Sequence, residues 1–175
     1  MKKNKKGICI IVFGYSGAGK TSLSKFIHPH VEKKIGKTLL IDGNDFRELL
    51  YAFDKKYGYT LKDRSKSAIS VYKILNIILD QNINVIYNNI GLNKFAHQVW
   101  QSNIKNLINV YIDAKIKNII NFGKKKKIYK LKKDVVGVHI KSYLPKNINI
   151  KVKNDFKTPL QKISKELIIK LNKIL

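Results

Sequence analysis

The chain has 175 residues and a mass of 20.2 kDa, one domain's worth of sequence, large enough to bury about two-thirds of the surface its unfolded form exposes. One domain over residues 1–175 is therefore expected. Lys and Arg number 36 against 11 Asp and Glu, for a formal charge of +25, a balance that ordinarily raises a polyanionic partner. Only two of those cations are Arg, however, at Arg47 and Arg64, in a chain dominated by Lys, Asn and Ile. A nucleic-acid face favours clustered Arg as well as Lys, so most of the charge reads as solvated surface and nucleic acid is not the expected partner. A hydrophobic fraction of 44% excludes a disordered chain, and the single Cys9 excludes a disulfide framework or a Cys-based zinc site.

The basic start, Met1 to Lys6, followed by apolar Ile8–Phe13 imitates a secretory leader, but the apolar run has six residues and leads directly into glycines, so it reads as a first strand. No stretch approaches the eighteen or so apolar residues of a membrane span; a cytoplasmic location with no membrane partner is expected.

The strand opens into Gly14, Tyr15, Ser16, Gly17, Ala18, Gly19, Lys20 and Thr21, followed by Ser22. This is G-x-x-x-x-G-K-T between a strand and a helix, the context that makes the pattern specific. Glycines let successive amides turn inward as an anion nest at a helix N-terminus. Lys20 can reach β- and γ-phosphates, and the Thr21 hydroxyl can ligate Mg²⁺ carried in with ATP. A bare glycine-rich turn would not explain the Lys-Thr pair.

Helical periodicity follows over Lys20–Lys34, with Pro29 expected to kink or shorten it. A second strand, Thr38–Ile41, delivers Asp42, Gly43, Asn44 and Asp45 to the carboxyl edge of the sheet, where open α/β folds bind ligands. Asp42 there can accept a proton from an acceptor hydroxyl or hold a Mg²⁺-bound water; Asp45 serves equally as a helix N-cap. Helical pattern returns at Ser65–Asp80, apolar on most faces and so deeply packed. Next come a strand at Asn84–Tyr87, a helix at Lys94–Asn106, a strand at Ile108–Ile112 and a helix at Lys115–Asn121.

Residues 123–145 stand apart, running through Lys124–Lys127, Lys130, Lys132 and Lys133 to Val135, Val136 and Gly137. Such a tract is commonly a solvated loop; as a mobile lid over phosphates its charge acquires a use. Ile148–Val152 reads as a fifth strand. Thr158 reads as the cap of a closing helix, with Pro159 at its first position and Gln161 at its third. Strands alternating with helices make a three-layer α/β sandwich on a five-stranded parallel sheet, of the P-loop NTPase type. His28, His30, His97 and His139 lack metal-ligand spacing and read as surface or packing residues, and Trp100 fits either a core or an interface.

The absence of an N-K-x-D guanine motif and the short chain favour a small-molecule kinase among P-loop proteins. At this point the sequence resembles the adenylylsulfate kinase family over nearly its whole length. Besides the P-loop it carries Asp42-Gly43 followed by Arg47, then Gly58-Tyr59-Thr60-Leu61-Lys62-Asp63-Arg64, similar to the family's G-F-S-x-x-D-R. Ile128-Tyr129-Lys130 stands where the family has L-Y-K in its lid, and Val135 to Ile140 followed by Pro145-Lys146-Asn147 resembles the end of that lid. The resemblance implies ATP- and Mg²⁺-dependent phosphorylation of the ribose 3′-hydroxyl of a small anionic nucleotide, with Lys20 and Asp42 catalytic and Thr21 and Asp42 at the metal. It assigns the acceptor to Asp45, Arg47, Tyr59, Arg64, Ser67, Asn89, Ile90, Lys94, Lys130, Val136 and Gly137. It also implies a homodimer, while the residues themselves leave the assembly open. The two arginines of a lysine-rich chain both fall at acceptor positions, where a planar fork grips phosphate or sulfate in a way Lys cannot.

The departures also fall in the acceptor site. Asn44 replaces the second carboxylate of D-G-D, Ser67 replaces an asparagine, and Ile90-Gly91-Leu92-Asn93-Lys94 stands for I-S-P-x-R. Val136 stands where a second aromatic would clamp the base opposite Tyr59. Three readings follow: adenylylsulfate kinase; a sister kinase for another nucleotide, such as cytidine diphosphoramidate; and, from another class, a basic nucleic-acid-binding or inactive P-loop protein.

Overall fold

The computed structural model describes residues 6–53, 58–123, 126–130 and 133–175. Five strands, β1 (Cys9–Phe13), β2 (Thr38–Asp42), β3 (Asn84–Asn89), β4 (Leu107–Asp113) and β5 (Ile150–Lys153), form one sheet in the order β2-β3-β1-β4-β5. Every pairing is parallel. Central β1, Cys-Ile-Ile-Val-Phe, is buried at all five positions, as a strand covered on both faces must be. The helices are α1 (Lys20–Ile35), α2 (Gly43–Phe53), α3 (Leu61–Asp80), α4 (Lys94–Asn103), α5 (Ile116–Phe122) and α6 (Leu160–Asn172), with a short 3₁₀ helix at Lys126–Lys130.

Alternation along β1 divides the core between the two faces. Ile10 and Val12 pack with Leu23, Ile27 and Val31 of α1 and with Ile163, Leu167 and Leu171 of α6. Cys9, Ile11 and Phe13 pack with Ala68, Val71 and Leu75 of α3 and with Ala96 and Trp100 of α4. Each large aliphatic or aromatic side chain buried in this way contributes roughly 1.5–3 kcal/mol. Trp100 is 1% exposed and its indole N–H donates to the Ala68 carbonyl at 3.3 Å, so it is a core residue.

Several local expectations are corrected. α1 runs unbroken through Pro29 to Ile35 instead of being shortened. α3 begins at Leu61 and not at Ser65, because Thr60 and Asp63 form a reciprocal capping box. α4 stops at Asn103, three residues early, and α2 is an element the periodicity did not reveal. Since α2 opens at Gly43, Asp45 lies in its first turn and is not its cap. At α6 the cap position belongs to Pro159; the Thr158 N–H is instead taken by Asp155 Oδ1 at 2.9 Å. β5 begins two residues later and ends one residue later than expected, at Ile150–Lys153. Among the described residues no helix is long and apolar enough to cross a membrane. Lys124, Lys125 and Lys132 of the lysine tract lie outside the described residues.

Candidate active site

Parallel strands all end on one edge, and there the turn from β1 into α1 carries the glycine-rich loop. Gly14 has φ 150° and a Cβ there would meet the Ile112 carbonyl oxygen at 2.7 Å. Gly19 caps α1 with φ 94°, and a Cβ there would meet Asn154 Nδ2 at 2.8 Å. Both positions therefore need glycine. Lys20 Nζ donates to the carbonyls of Gly14 at 3.0 Å and Tyr15 at 2.8 Å, which holds the ammonium across the loop. Ala18 is buried beneath it, and its N–H donates to the Tyr15 carbonyl at 3.1 Å.

At the loop's exit Thr21 Oγ1 donates to Asp42 Oδ2 at 2.6 Å. The other carboxylate oxygen accepts both the Asn44 backbone N–H at 3.0 Å and its Nδ2 at 2.9 Å. Asn44, which stands where the D-G-D pattern has a second carboxylate, thus orients Asp42. The hydroxyl and carboxylate oxygens together are hard donors of the kind Mg²⁺ accepts, and the pair fits an ion that takes its remaining ligands from phosphates and water. Among the described residues no group of three or more His, Cys, Asp or Glu forms a metal cluster.

Across the edge, α2 and α3 bring the two arginines to one tyrosine. The Arg47 guanidinium lies 4.5 Å from the centre of the Tyr59 ring and donates through Nη1 to the Gly58 carbonyl at 2.6 Å. Arg64 lies 5.8 Å from the same ring and donates to the Tyr59 carbonyl at 2.8 Å and the Asp134 carbonyl at 3.1 Å. Burial first, and then the neighbouring Arg47 charge, lowers the Arg64 pKa to about 10. Concentrating two guanidiniums in this way stabilises an anion placed between them.

A cleft of about 530 Å³ joins the two ends, lined by Ser16, Gly17, Gly19, Lys20, Thr21, Ser22 and Asp42 on one side and by Arg47, Tyr59, Asn89 and Ile90 on the other. Its size suits a small-molecule site. A side pocket of about 30 Å³ continues inward, lined by Arg47, Arg64, Ser67, Asn89, Ile90 and Val136 among others. Other expected residues lie elsewhere. Asp45, Lys94 and Lys130 are exposed and line neither cavity. Gly137 also lines neither, and packs against the Tyr15 ring, where a Cβ would meet Cε1 at 2.6 Å. Tyr15 itself turns away from the cleft, its hydroxyl 2.9 Å from Ser142 Oγ.

Sequence reasoning missed one wall of the cleft, formed by Asn154 and Phe156 to Leu160 after β5 together with Phe122 and Gly123. Asn154 Nδ2 donates to the Ala18 carbonyl at 2.9 Å and its Oδ1 accepts from the Phe156 N–H at 3.0 Å, tying this turn to the glycine-rich loop. The available signal was the run Asn154-Asp155-Phe156-Lys157-Thr158-Pro159 at the carboxyl end of a strand, with turn chemistry in place of helix chemistry. Asp155 accepts the N–H groups of Thr158 and Lys157, which lower its pKa.

A glycine-rich loop at the carboxyl edge of a 2-3-1-4-5 parallel sheet, a Thr21–Asp42 pair beside it and a second, arginine-lined compartment are the features of a P-loop kinase type of molecule. A family model described as Adenylylsulphate kinase matches residues 6–153, and the chain belongs to that family. The adenylyl-sulfate kinase of Halothermothrix orenii is 25% identical over 112 residues, which make up 64% of this chain and 59% of that protein. The chain therefore aligns with less than two-thirds of that relative's length. In fold it is similar to the Mycobacterium tuberculosis APS kinase solved in complex with AMPPNP and APS, with a TM-score of 0.79 at 19% identity, covering 95% of this chain and 98% of that one. A gluconokinase from Sinorhizobium meliloti shares the fold at a TM-score of 0.63 and 15% identity, covering 98% and 95%.

Proposed function

We propose that the chain transfers the γ-phosphoryl group of ATP to the ribose 3′-hydroxyl of a small anionic nucleotide, with adenylyl sulfate the first candidate. The observation that carries this reading is the continuity of the cleft: one cavity is lined at one end by Lys20 and Thr21 and at the other by Arg47 and Tyr59. Donor phosphates belong in the glycine-rich loop, where amide N–H groups, the helix terminus and Lys20 all favour negative charge. An acceptor between Arg47 and Arg64 has its anionic head held by two planar forks and its base against the exposed face of Tyr59. Transfer of this kind requires little covalent chemistry from the protein; positioning and charge stabilisation supply most of the rate.

Thr21 and Asp42 would hold Mg²⁺, which neutralises charge on the donor phosphates when bound. Asp42, with Asn44 fixing one oxygen, is the carboxylate best placed to take the acceptor's proton. The segment 123–145 serves as the cover in this reading. Tyr129 Oη donates to the Ser16 carbonyl at 2.7 Å, and Tyr15 meets Ser142, so two points of that segment are tied to the glycine-rich loop.

A sister acceptor, such as cytidine diphosphoramidate, is the second reading, favoured by Val136. That residue is 6% exposed and aliphatic, so the base has one aromatic partner, Tyr59, whose ring is also occupied by Arg47. Initial rates of ADP release should rise at least tenfold over the acceptor-free rate on adding one of these nucleotides with Mg²⁺-ATP. Release that no nucleotide acceptor stimulates contradicts both readings.

A further inference from the structure

Tyr15 belongs to the glycine-rich loop, yet its side chain lines neither cavity and packs against the hydrophobic cores of both sheet faces. Its ring bears on Gly137, where a Cβ would come within 2.6 Å of Cε1 and 3.2 Å of Cζ, and its hydroxyl is 2.9 Å from Ser142 Oγ. Gly137 has φ 89°, so a side chain there is opposed twice, by the backbone conformation and by the ring. A ring fitted to a glycine and paired at its far end cannot shift without moving what it touches.

The segment it touches is a closed turn. The Val135 carbonyl accepts the N–H groups of Val138 at 3.1 Å, His139 at 2.8 Å and Ile140 at 3.1 Å, and the Gly137 N–H donates back to the Ile140 carbonyl at 2.8 Å. The start of this turn reaches the arginine-lined compartment: the Asp134 carbonyl accepts from Arg64 Nη2 at 3.1 Å, and Val136 lines the side pocket. On the loop side, the Tyr15 carbonyl accepts Lys20 Nζ at 2.8 Å and the Ala18 N–H at 3.1 Å. Tyr15 thus meets the turn with its ring and hydroxyl, and the loop lysine with its carbonyl. Direct contacts run from Lys20 through Tyr15 and the turn to Arg64.

We propose that Tyr15, paired with Ser142, is a positioning residue that couples the two ends of the cleft, so that each substrate tightens the binding of the other. The inference rests on the nucleotide-kinase reading above and adds to it a side chain that lies outside both cavities. An anion held by Arg64 restrains Asp134 and Val136. The hydrogen bonds of the turn carry that restraint to Gly137 and Ser142, and the Tyr15 ring carries it to the carbonyl that holds Lys20. Coupling of this kind is reciprocal, with the same factor in both directions. A tyrosine that only filled space would change stability and leave that factor alone.

The test is calorimetric binding of the non-hydrolysable ATP analogue adenylyl imidodiphosphate with Mg²⁺, alone and with an excess of adenylyl sulfate or of cytidine 5′-diphosphate. It is run on the wild type, Tyr15→Phe, Ser142→Ala, Ser142→Thr and the double variant Tyr15→Phe with Ser142→Ala. At least one of the two nucleotides should tighten analogue binding to the wild type about fivefold or more. Tyr15→Phe keeps the ring on Gly137 and loses only the bond to Ser142. The enhancement should fall below about twofold in Tyr15→Phe and in Ser142→Ala, with no further loss in the double variant, and Ser142→Thr should retain it. The analogue alone should bind Ser142→Ala as it binds the wild type. An enhancement that survives both single changes, losses that add in the double variant, or a wild type in which neither nucleotide alters analogue binding overturns the proposal. Phosphoryl transfer from ATP by the same wild type judges the kinase reading separately. Transfer without coupling overturns the role of Tyr15 alone, whereas coupling that depends on Tyr15 without transfer upholds that role and overturns the kinase reading.

Discussion

Arg47 and Arg64 show how a residue's surroundings change its meaning. Each could have been an ordinary surface cation, yet both guanidiniums lie within 6 Å of the Tyr59 ring centre. Arg47→Lys keeps the charge and loses the fork and the ring contact. The acceptor KM should rise about tenfold or more, with the ATP KM unchanged, as measured by initial rates. At the donor end, Lys20→Ala should lower kcat on the order of 10²–10³-fold with the far-ultraviolet circular dichroism preserved. His97 has no place in the chemistry. It is 6% exposed between Phe13 and Trp100, and burial lowers its pKa from 6.5 to about 4. The unfolded chain therefore binds the proton more readily. Stability from this group is complete above about pH 6.5 and is lost as pH falls toward 4. Urea unfolding should show about 2 kcal/mol of this loss between pH 8 and pH 5, and His97→Phe should remove it.

At the scale of elements, β1, α1 and the turn between them were legible because a strand of β-branched residues, three glycines and Lys-Thr leave one arrangement that satisfies every backbone group. The sheet and its parallel sense were legible for a similar reason, since short apolar runs alternate with long amphipathic ones. α2 was legible only in part: Asp45 reads as the cap of a helix from Phe46, whereas Gly43, Asn44 and Asp45 form its first turn, and Phe46 packs on Tyr87 at 5.7 Å between ring centres. The turn after β5 escaped for another reason: Asn154 acts through a contact 136 residues away, which no local pattern carries. Asn154→Ala should strand the Ala18 carbonyl and the Phe156 N–H. A loss of roughly 1–3 kcal/mol is expected in urea unfolding, together with a raised ATP KM. Asn44 likewise looked like a lost carboxylate and is found holding Asp42.

At the scale of the whole molecule, the +25 charge finds few partners among the described residues. The ion pairs among the described residues are Lys6–Asp80, Lys151–Asp113 and Lys170–Glu166, all substantially exposed and each worth little. Mutual repulsion of lysines therefore outweighs pairing. Raising NaCl from about 20 to about 200 mM should raise Tm, because screening shortens from roughly 20 Å to under 10 Å. A fall in Tm would mean that attractive pairs dominate. The same charge makes both ends of the cleft attractive to anionic small molecules, as the proposed phosphoryl transfer between nucleotides requires. The destination of the γ-phosphoryl group is the most direct test of nucleotide phosphorylation by this chain. Protein, Mg²⁺-ATP and adenylyl sulfate or a cytidine diphosphate derivative are incubated, and the product is examined by mass and phosphorus magnetic resonance. The expected product is an acceptor nucleotide heavier by one phosphoryl group on its ribose 3′-oxygen, and none is expected with Lys20→Ala. Free phosphate as the only product, with every acceptor unchanged, would contradict that expectation.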